Sequence, residues 1–134
     1  MENRPKNTIL IVDDEPMCVK FLVAILENEY TLFVAKNGTD AINMAMNCIP
    51  DLIVLDVNMP DLSGYVVISA LKHMDETKNI PVIFNTSQDT PEDKKMGLNL
   101  GAVDYLPKNG SPSHVKNMIR IQIDTINNAR IKSN

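Results

Sequence analysis

Cysteine is scarce in this chain. The two present, Cys18 and Cys48, stand thirty residues apart with no CxxC and no Cys/His ligand spacing. That argues against a disulfide scaffold or a structural zinc site. Both fall among apolar residues, so two buried, reduced thiols are expected. A basic cluster is also missing: 13 Lys and Arg against 17 Asp and Glu leave a net charge of −4, with no electrostatic footprint for nucleic acid. No uninterrupted apolar run approaches the ~20 residues of a membrane span. The opening Met1–Asn7 has no apolar stretch of a signal peptide. The expectation is a cytoplasmic chain that contacts neither membrane nor nucleic acid directly. Repeats and low-complexity segments are lacking too, as are the glycine-rich motifs GxGxxG and GxxxxGK with Ser or Thr, which argues against a nucleotide-binding module.

What is present is an ordinary globular composition, 134 residues with 44% hydrophobic and 22% charged, sufficient for one domain with a real core. Short β-rich runs alternate with helical patterns throughout. Strands are expected at 8–12, 30–35, 51–55, 80–85 and 102–106, nearly continuous in apolar residues, as parallel strands covered on both faces should be. Val19, Leu22, Val23 and Leu26 mark the inner face of a first helix. Ala41, Ile42, Ala45 and Met46 mark a second over 38–48, and Val67, Ile68 and Leu71 a third over 64–74. Thr90-Pro91 with Asp93, and then Ser111-Pro112, open the fourth and fifth as N-cap followed by Pro. The fifth carries Val115, Met118, Ile119, Ile123 and Ile126 inward and can run to about Ile131. Five βα units in succession imply right-handed crossovers and a doubly wound α/β sheet. Residues 1–6 are expected to be disordered, 7–127 to form the domain, and 128–134 to extend the last helix or form a tail.

Chemistry-bearing residues end four of the apolar runs: Asp13-Asp14, Asp56, Thr86 and Lys108. In an open parallel sheet, ligands sit outside the carboxyl ends of the strands, so three carboxylates, a hydroxyl and an ammonium should share one pocket. Two carboxylates about 4 Å apart repel by roughly 4 kcal/mol at an effective dielectric of 20. Three together call for a cation, and Mg²⁺, with its preference for carboxylates, water and phosphate oxygens, suits them. An Asp pair after a strand also reads as a helix N-cap, and Asp14 before Glu15-Pro16 can serve both ends. Asp56 at a strand tip, with Pro60 and Gly64 shaping the next loop, can act as a nucleophile on phosphorus and form an aspartyl-phosphate. His73 and His114 have no ligand-spaced partner and read as surface residues. The charges of Glu92–Lys95 read as a solvated helix start.

Four segments in order, Ile9–Glu15, Leu52–Gly64, Pro81–Ser87 and Leu100–Lys108, make the chain resemble the receiver domain of two-component response regulators over about residues 7–127. The resemblance implies the flavodoxin-like strand order 2-1-3-4-5. It also implies that Asp56 is the phosphoacceptor for a sensor histidine kinase or phosphotransfer protein, and that Asp14, Asp56 and the Asn58 carbonyl bind Mg²⁺, with Asp13 partly through water. Lys108 and Thr86 then meet the phosphoryl group, Thr86 and Tyr105 form a switch pair, and Asn58 and Gln88 tune hydrolysis. The alternative reading of Tyr105 is a plain core aromatic with a wet hydroxyl, and the resemblance favours the switch. Such a domain catalyses only its own phosphorylation and dephosphorylation. Two departures stand out. The family usually places Pro after the lysine, whereas here Asn109 follows Lys108 and Pro107 precedes it. A trans Lys108-Asn109 bond is therefore expected, with Pro107 on an edge strand. Asn85 is polar where the family is usually apolar, and requires a partner.

Alternatives remain open at this point. A metal-dependent phosphatase with an Asp nucleophile would place it after strand one as Asp-x-Asp and add a cap domain, for which no segment is left. A receiver that no longer accepts phosphate is kept in view by Asn109. The domain either stands alone or belongs to a longer regulator. Ile121 and Ile131 fall off the inner stripe of the last helix, which suggests a weak or conditional dimer or scattered surface residues.

Overall fold

The structure, a computed structural model, describes residues 5–87 and 90–133. Five strands alternate with five helices: β1 Thr8–Val12, α1 Pro16–Leu26, β2 Thr31–Ala35, α2 Gly38–Cys48, β3 Leu52–Leu55, α3 Gly64–Lys72, β4 Val82–Thr86, α4 Pro91–Asn99, β5 Asp104–Pro107 and α5 Pro112–Ser133. The strands form one parallel sheet in the order β2-β1-β3-β4-β5.

Apolar residues run almost unbroken along the central strands because each face carries its own core. On one side Leu10, Ile53, Leu55 and Phe84 pack against Ala41, Ala45, Val67, Ile68 and Leu71 of α2 and α3. On the other, Ile9, Ile11, Val54 and Ile83 pack against Leu22 and Leu26 of α1 and Val115, Ile119 and Ile123 of α5. Residues one apart along a strand therefore serve opposite layers. That alternation decides where each strand-tip side chain points.

Several expectations need correction. β3 begins at Leu52 because Asp51 is a bottom anchor, its Oδ2 accepting from the Thr8 backbone N–H at 2.8 Å and from Asn7 Nδ2 at 3.3 Å. α3 stops at Lys72 because the buried Thr77 hydroxyl donates to the Leu71 carbonyl (2.7 Å) and folds 73–80 into turns. β4 and β5 start two residues later than the apolar runs do. Met46 is 42% exposed: at 100° per residue it lies off the narrow Ala41–Ala45 stripe. Neither thiol is buried as expected. Cys48 is exposed at the end of α2, beside an exposed Ile49, and Cys18 is half-buried. Apolar neighbours in sequence do not enclose a residue at a helix end.

Pro107 does lie on an edge strand, opposite Thr86, and every described peptide bond is trans, including Lys108–Asn109. Pro5 and Lys6 have no regular structure. α5 continues without a break past residue 127, and its far end is tied down by Arg130, whose Nη2 lies 2.6 Å from Asp51 Oδ1.

Candidate functional site

The strand tips converge. The Asp13 N–H donates to the Ala35 carbonyl at 3.1 Å and the Asp56 N–H to the Val12 carbonyl at 2.9 Å. Each carboxylate thus hangs from a backbone still held by the ladder. Asp13 and Asp56 are 1% and 2% exposed, while Asp14 is exposed at the rim. Carboxylate oxygens of the three lie within 4.8 Å of one another.

Lys108 reaches into this group from the β5–α5 loop, its N–H held by the Thr86 carbonyl at 3.3 Å. Its Nζ stands 3.1 Å from Asp56 Oδ2, 3.1 Å from Asp13 Oδ2 and 2.6 Å from Glu15 Oε1. Burial opposes the charged lysine, but the Glu15 hydrogen bond and the charges of Asp56 and Asp13 outweigh it and hold the ammonium above its ordinary range. Asp56 moves the other way from a normal aspartate: burial first, then the Asp13 charge, push its carboxyl up, and Lys108 offsets part of this. Lys108 also pulls Glu15 down by hydrogen bond and charge.

One buried oxygen is left over. Asp13 Oδ2 has Lys108 Nζ at ion-pair distance but accepts no well-directed hydrogen bond. Its partner Oδ1 accepts from the Glu15 N–H at 2.9 Å. This corrects the capping expectation: Glu15, not Asp14, is the N-cap of α1, and its side chain makes no cap bond. An orphaned buried carboxylate oxygen, with two more carboxylates in reach, is a hard-oxygen donor set, and Mg²⁺ fits it. The Asn58 backbone N–H points at the Asp56 carboxylate, and its side chain is exposed.

Thr86, fully buried at the end of β4, lines with Ser87, Lys108 and Glu15 a cavity of about 430 Å³ at the pocket mouth. Tyr105 already lies inward, 8% exposed. Its hydroxyl donates to the Asp93 carbonyl of α4 at 2.7 Å and lies 3.5 Å from the Tyr65 hydroxyl. Its ring tilts 41° against Phe84 at 5.3 Å. Burial, then Tyr65, push its phenol well above the usual tyrosine range. Gln88 lies outside the described residues.

Three residues escaped the sequence reading. Glu15 makes the shortest contact to Lys108, and its signal was only a third acid after Asp13-Asp14. Asp61 ties the β3–α3 loop to the start of α2: its carboxylate accepts from the Gly38 N–H at 2.8 Å, the Thr39 N–H at 3.0 Å and the Thr39 hydroxyl at 2.8 Å. Those donors hold its pKa well below the usual carboxylate range. Gly97 makes room for Tyr105, since a Cβ there would meet Tyr105 Cε2 at 2.5 Å. Nothing in a linear pattern signals that approach.

An acidic trio and a lysine thus meet at the strand tips of a 2-1-3-4-5 sheet. The chain belongs to the response regulator receiver domain family, whose model matches residues 9–120. A protein described as a probable cyclic di-GMP phosphodiesterase of Vibrio cholerae serotype O1 is 44% identical over 81% of this chain, which spans 24% of that protein. Protein PilH of Pseudomonas aeruginosa is 41% identical over 75% of this chain and 84% of its own length. Among solved structures, the Vibrio cholerae chemotaxis protein CheY4 superposes with a TM-score of 0.81 at 27% identity, covering 86% of this chain and 97% of that one. The expected family and topology are both found. Among the described residues no helix is long and apolar enough to cross a membrane.

Proposed function

We propose that this receiver accepts a phosphoryl group on Asp56 from the phosphohistidine of a sensor histidine kinase or phosphotransfer protein, and that phosphorylation of Asp56 switches a partner-binding face. The observation that carries the reading is Asp56 itself, a buried carboxylate at the tip of β3 with Lys108 Nζ at 3.1 Å and two further carboxylates beside it.

An Asp56 oxygen attacks phosphorus, the P–N bond breaks, and the imidazole nitrogen keeps the electron pair and takes up a proton. Lys108 leaves carboxylate partners for a phosphoryl oxygen, and the Thr86 hydroxyl donates to another. Asp13, Asp14, Asp56 and the Asn58 carbonyl would hold Mg²⁺, which when bound neutralises the carboxylates and the transferring charge. In the reverse limb, water attacks phosphorus in line, the acyl P–O bond breaks, and inorganic phosphate leaves with the carboxylate restored. Asn58 and Gln88 are assigned to orienting that water. The chain thus acts only on itself. The inward Tyr105, bonded to α4, is the arrangement this reading assigns to the switched state with Thr86. The proposed receiver spans 7–127, with 128–134 extending α5.

Acetyl phosphate with Mg²⁺ should add one phosphoryl group by intact-mass spectrometry, lost on chelation and in Asp56→Ala. Full labelling of that variant would refute the assignment. Ile121 and Ile131 are 61% and 63% exposed, and we assign them to weak pairing of two copies that beryllium fluoride strengthens. Sedimentation velocity showing only monomer with and without the mimic would remove this part.

A further inference from the structure

Beside the acceptor pocket, but on the opposite layer of the sheet from Thr86, lies a cavity of about 230 Å³ between α1, the end of β4 and the β5–α5 loop. Its walls are mostly apolar, from Met17, Phe21, Leu22, Pro107 and Val115. Asn85 also lines it. Strand alternation turns Ile83 and Asn85 toward α1 and α5, away from the Phe84 side. Asn85 is 6% exposed. Its side-chain amide forms no hydrogen bond to any other described residue, so two N–H donors and a carbonyl acceptor face an apolar chamber. The amide is not sealed from solvent, since Asp13 Oδ2 is the one fully buried side-chain polar atom without a partner among the described residues. It is therefore open to an occupant of the cavity, and this is the residue that sequence left without a partner.

We propose that this cavity is a binding site for a small neutral molecule with an apolar, ring-sized body and one carboxamide-like head that both donates to and accepts from Asn85. Size sets the body: an apolar chamber of roughly 150 Å³ admits benzene, and this one is larger by about one polar group. Chemistry sets the head, because an Asn amide is satisfied in both senses only by a group that is itself donor and acceptor. Charge sets neutrality. Lys108 forms part of the wall, but its ammonium is already among Glu15, Asp13 and Asp56, so the neighbourhood is net negative and repels a carboxylate. The site is independent of the phosphoacceptor assignment, although the shared lysine sets an occupant directly behind the acceptor pocket.

Benzamide, toluene and benzoate are the probes, titrated into the ¹⁵N-labelled full chain and followed by amide and Asn side-chain shifts. Benzamide should move the Asn85 side-chain signals together with residues of α1 and the 107–110 loop, and should bind more tightly than toluene or benzoate. Asn85→Leu should weaken benzamide by about fivefold, as loss of a net hydrogen bond implies, and leave toluene unaffected. Phe21→Trp, at a half-open rim position, should block benzamide and toluene alike. Shifts scattered over the surface, equal affinity for the three probes, or unchanged benzamide binding in Asn85→Leu would each overturn the proposal.

Discussion

At the scale of single residues, the site costs stability. Asp56 is buried among like charges, and its carboxyl is pushed above the ordinary value of about 3.9. Between that ordinary value and the raised one, the folded chain binds more protons than the unfolded chain, so stability falls as pH rises through the window. Above it, the penalty is present in full. Asp56→Asn removes the penalty while Lys108 keeps Asp13 and Glu15, at 3.1 and 2.6 Å. The variant should be more stable at pH 7 by about 1–2 kcal/mol, the usual reward for relieving a functional compromise. It should also show a flatter stability profile through that window. Urea unfolding from pH 4 to 8 reads both, and a variant less stable than the parent at pH 7 contradicts the account. Asp13, Asp14, Asp56, Thr86 and Lys108 were legible because each ends an apolar run and so must emerge at the same edge. Glu15 was not, because a helix N-cap normally spends its side chain on the helix, and only the position of Lys108 shows that this one does not.

Elements meet at tolerances the chain cannot advertise. Strand positions followed from apolar runs and helix starts from Thr90-Pro91 and Ser111-Pro112. The start of β3 and the end of α3 were set by Asp51, whose partner Thr8 lies far along the chain, and by Thr77, whose hydroxyl turns back to the Leu71 carbonyl; Asp61 pins the start of α2 from the distant β3–α3 loop. The approach of α4 to β5 is the sharpest case. Gly97 is buried, and an added Cβ would lie 2.5 Å from Tyr105 Cε2, 2.8 Å from its hydroxyl and 3.0 Å from Phe84 Cδ2. Alanine is the better helix former by about 1 kcal/mol, yet overpacking costs about 1–3 kcal/mol, so Gly97→Ala should be destabilising. The soft response is rotation of Tyr105 out of its site, with loss of its bond to Asp93. Tyrosine emission is observable because the chain has no Trp, and iodide should quench it more strongly in the variant. Tyr105→Ala should make Gly97→Ala nearly silent, since the clash is then gone. Additive losses in the double variant would mean that α4, not Tyr105, absorbs the strain.

For the whole molecule, the acidic pocket links folding to cation binding. Asp13, Asp14 and Asp56 assemble only when β1 and β3 pair, so the unfolded chain has no comparable site. A cation that binds only the folded state stabilises by RT ln(1 + [L]/Kd), about 2.7 kcal/mol at one hundred times Kd. Mg²⁺ should therefore raise the unfolding midpoint, and continue to raise it with the logarithm of concentration beyond saturation. Screening of a chain with net charge −4 could imitate a small part of this, so NaCl at matched ionic strength is the comparison. Asp14 separates the two causes. It is exposed at the rim, so Asp14→Ala leaves the core intact and removes a negative charge from a repulsive group. Without Mg²⁺ this variant should be at least as stable as the parent. With Mg²⁺ it should gain much less, and the order of the two stabilities should reverse. Thermal unfolding of both proteins across a Mg²⁺ series, at constant ionic strength, tests the reversal. Parallel curves would show that the cation acts on net charge alone, and the trio would lose its assignment as a metal site.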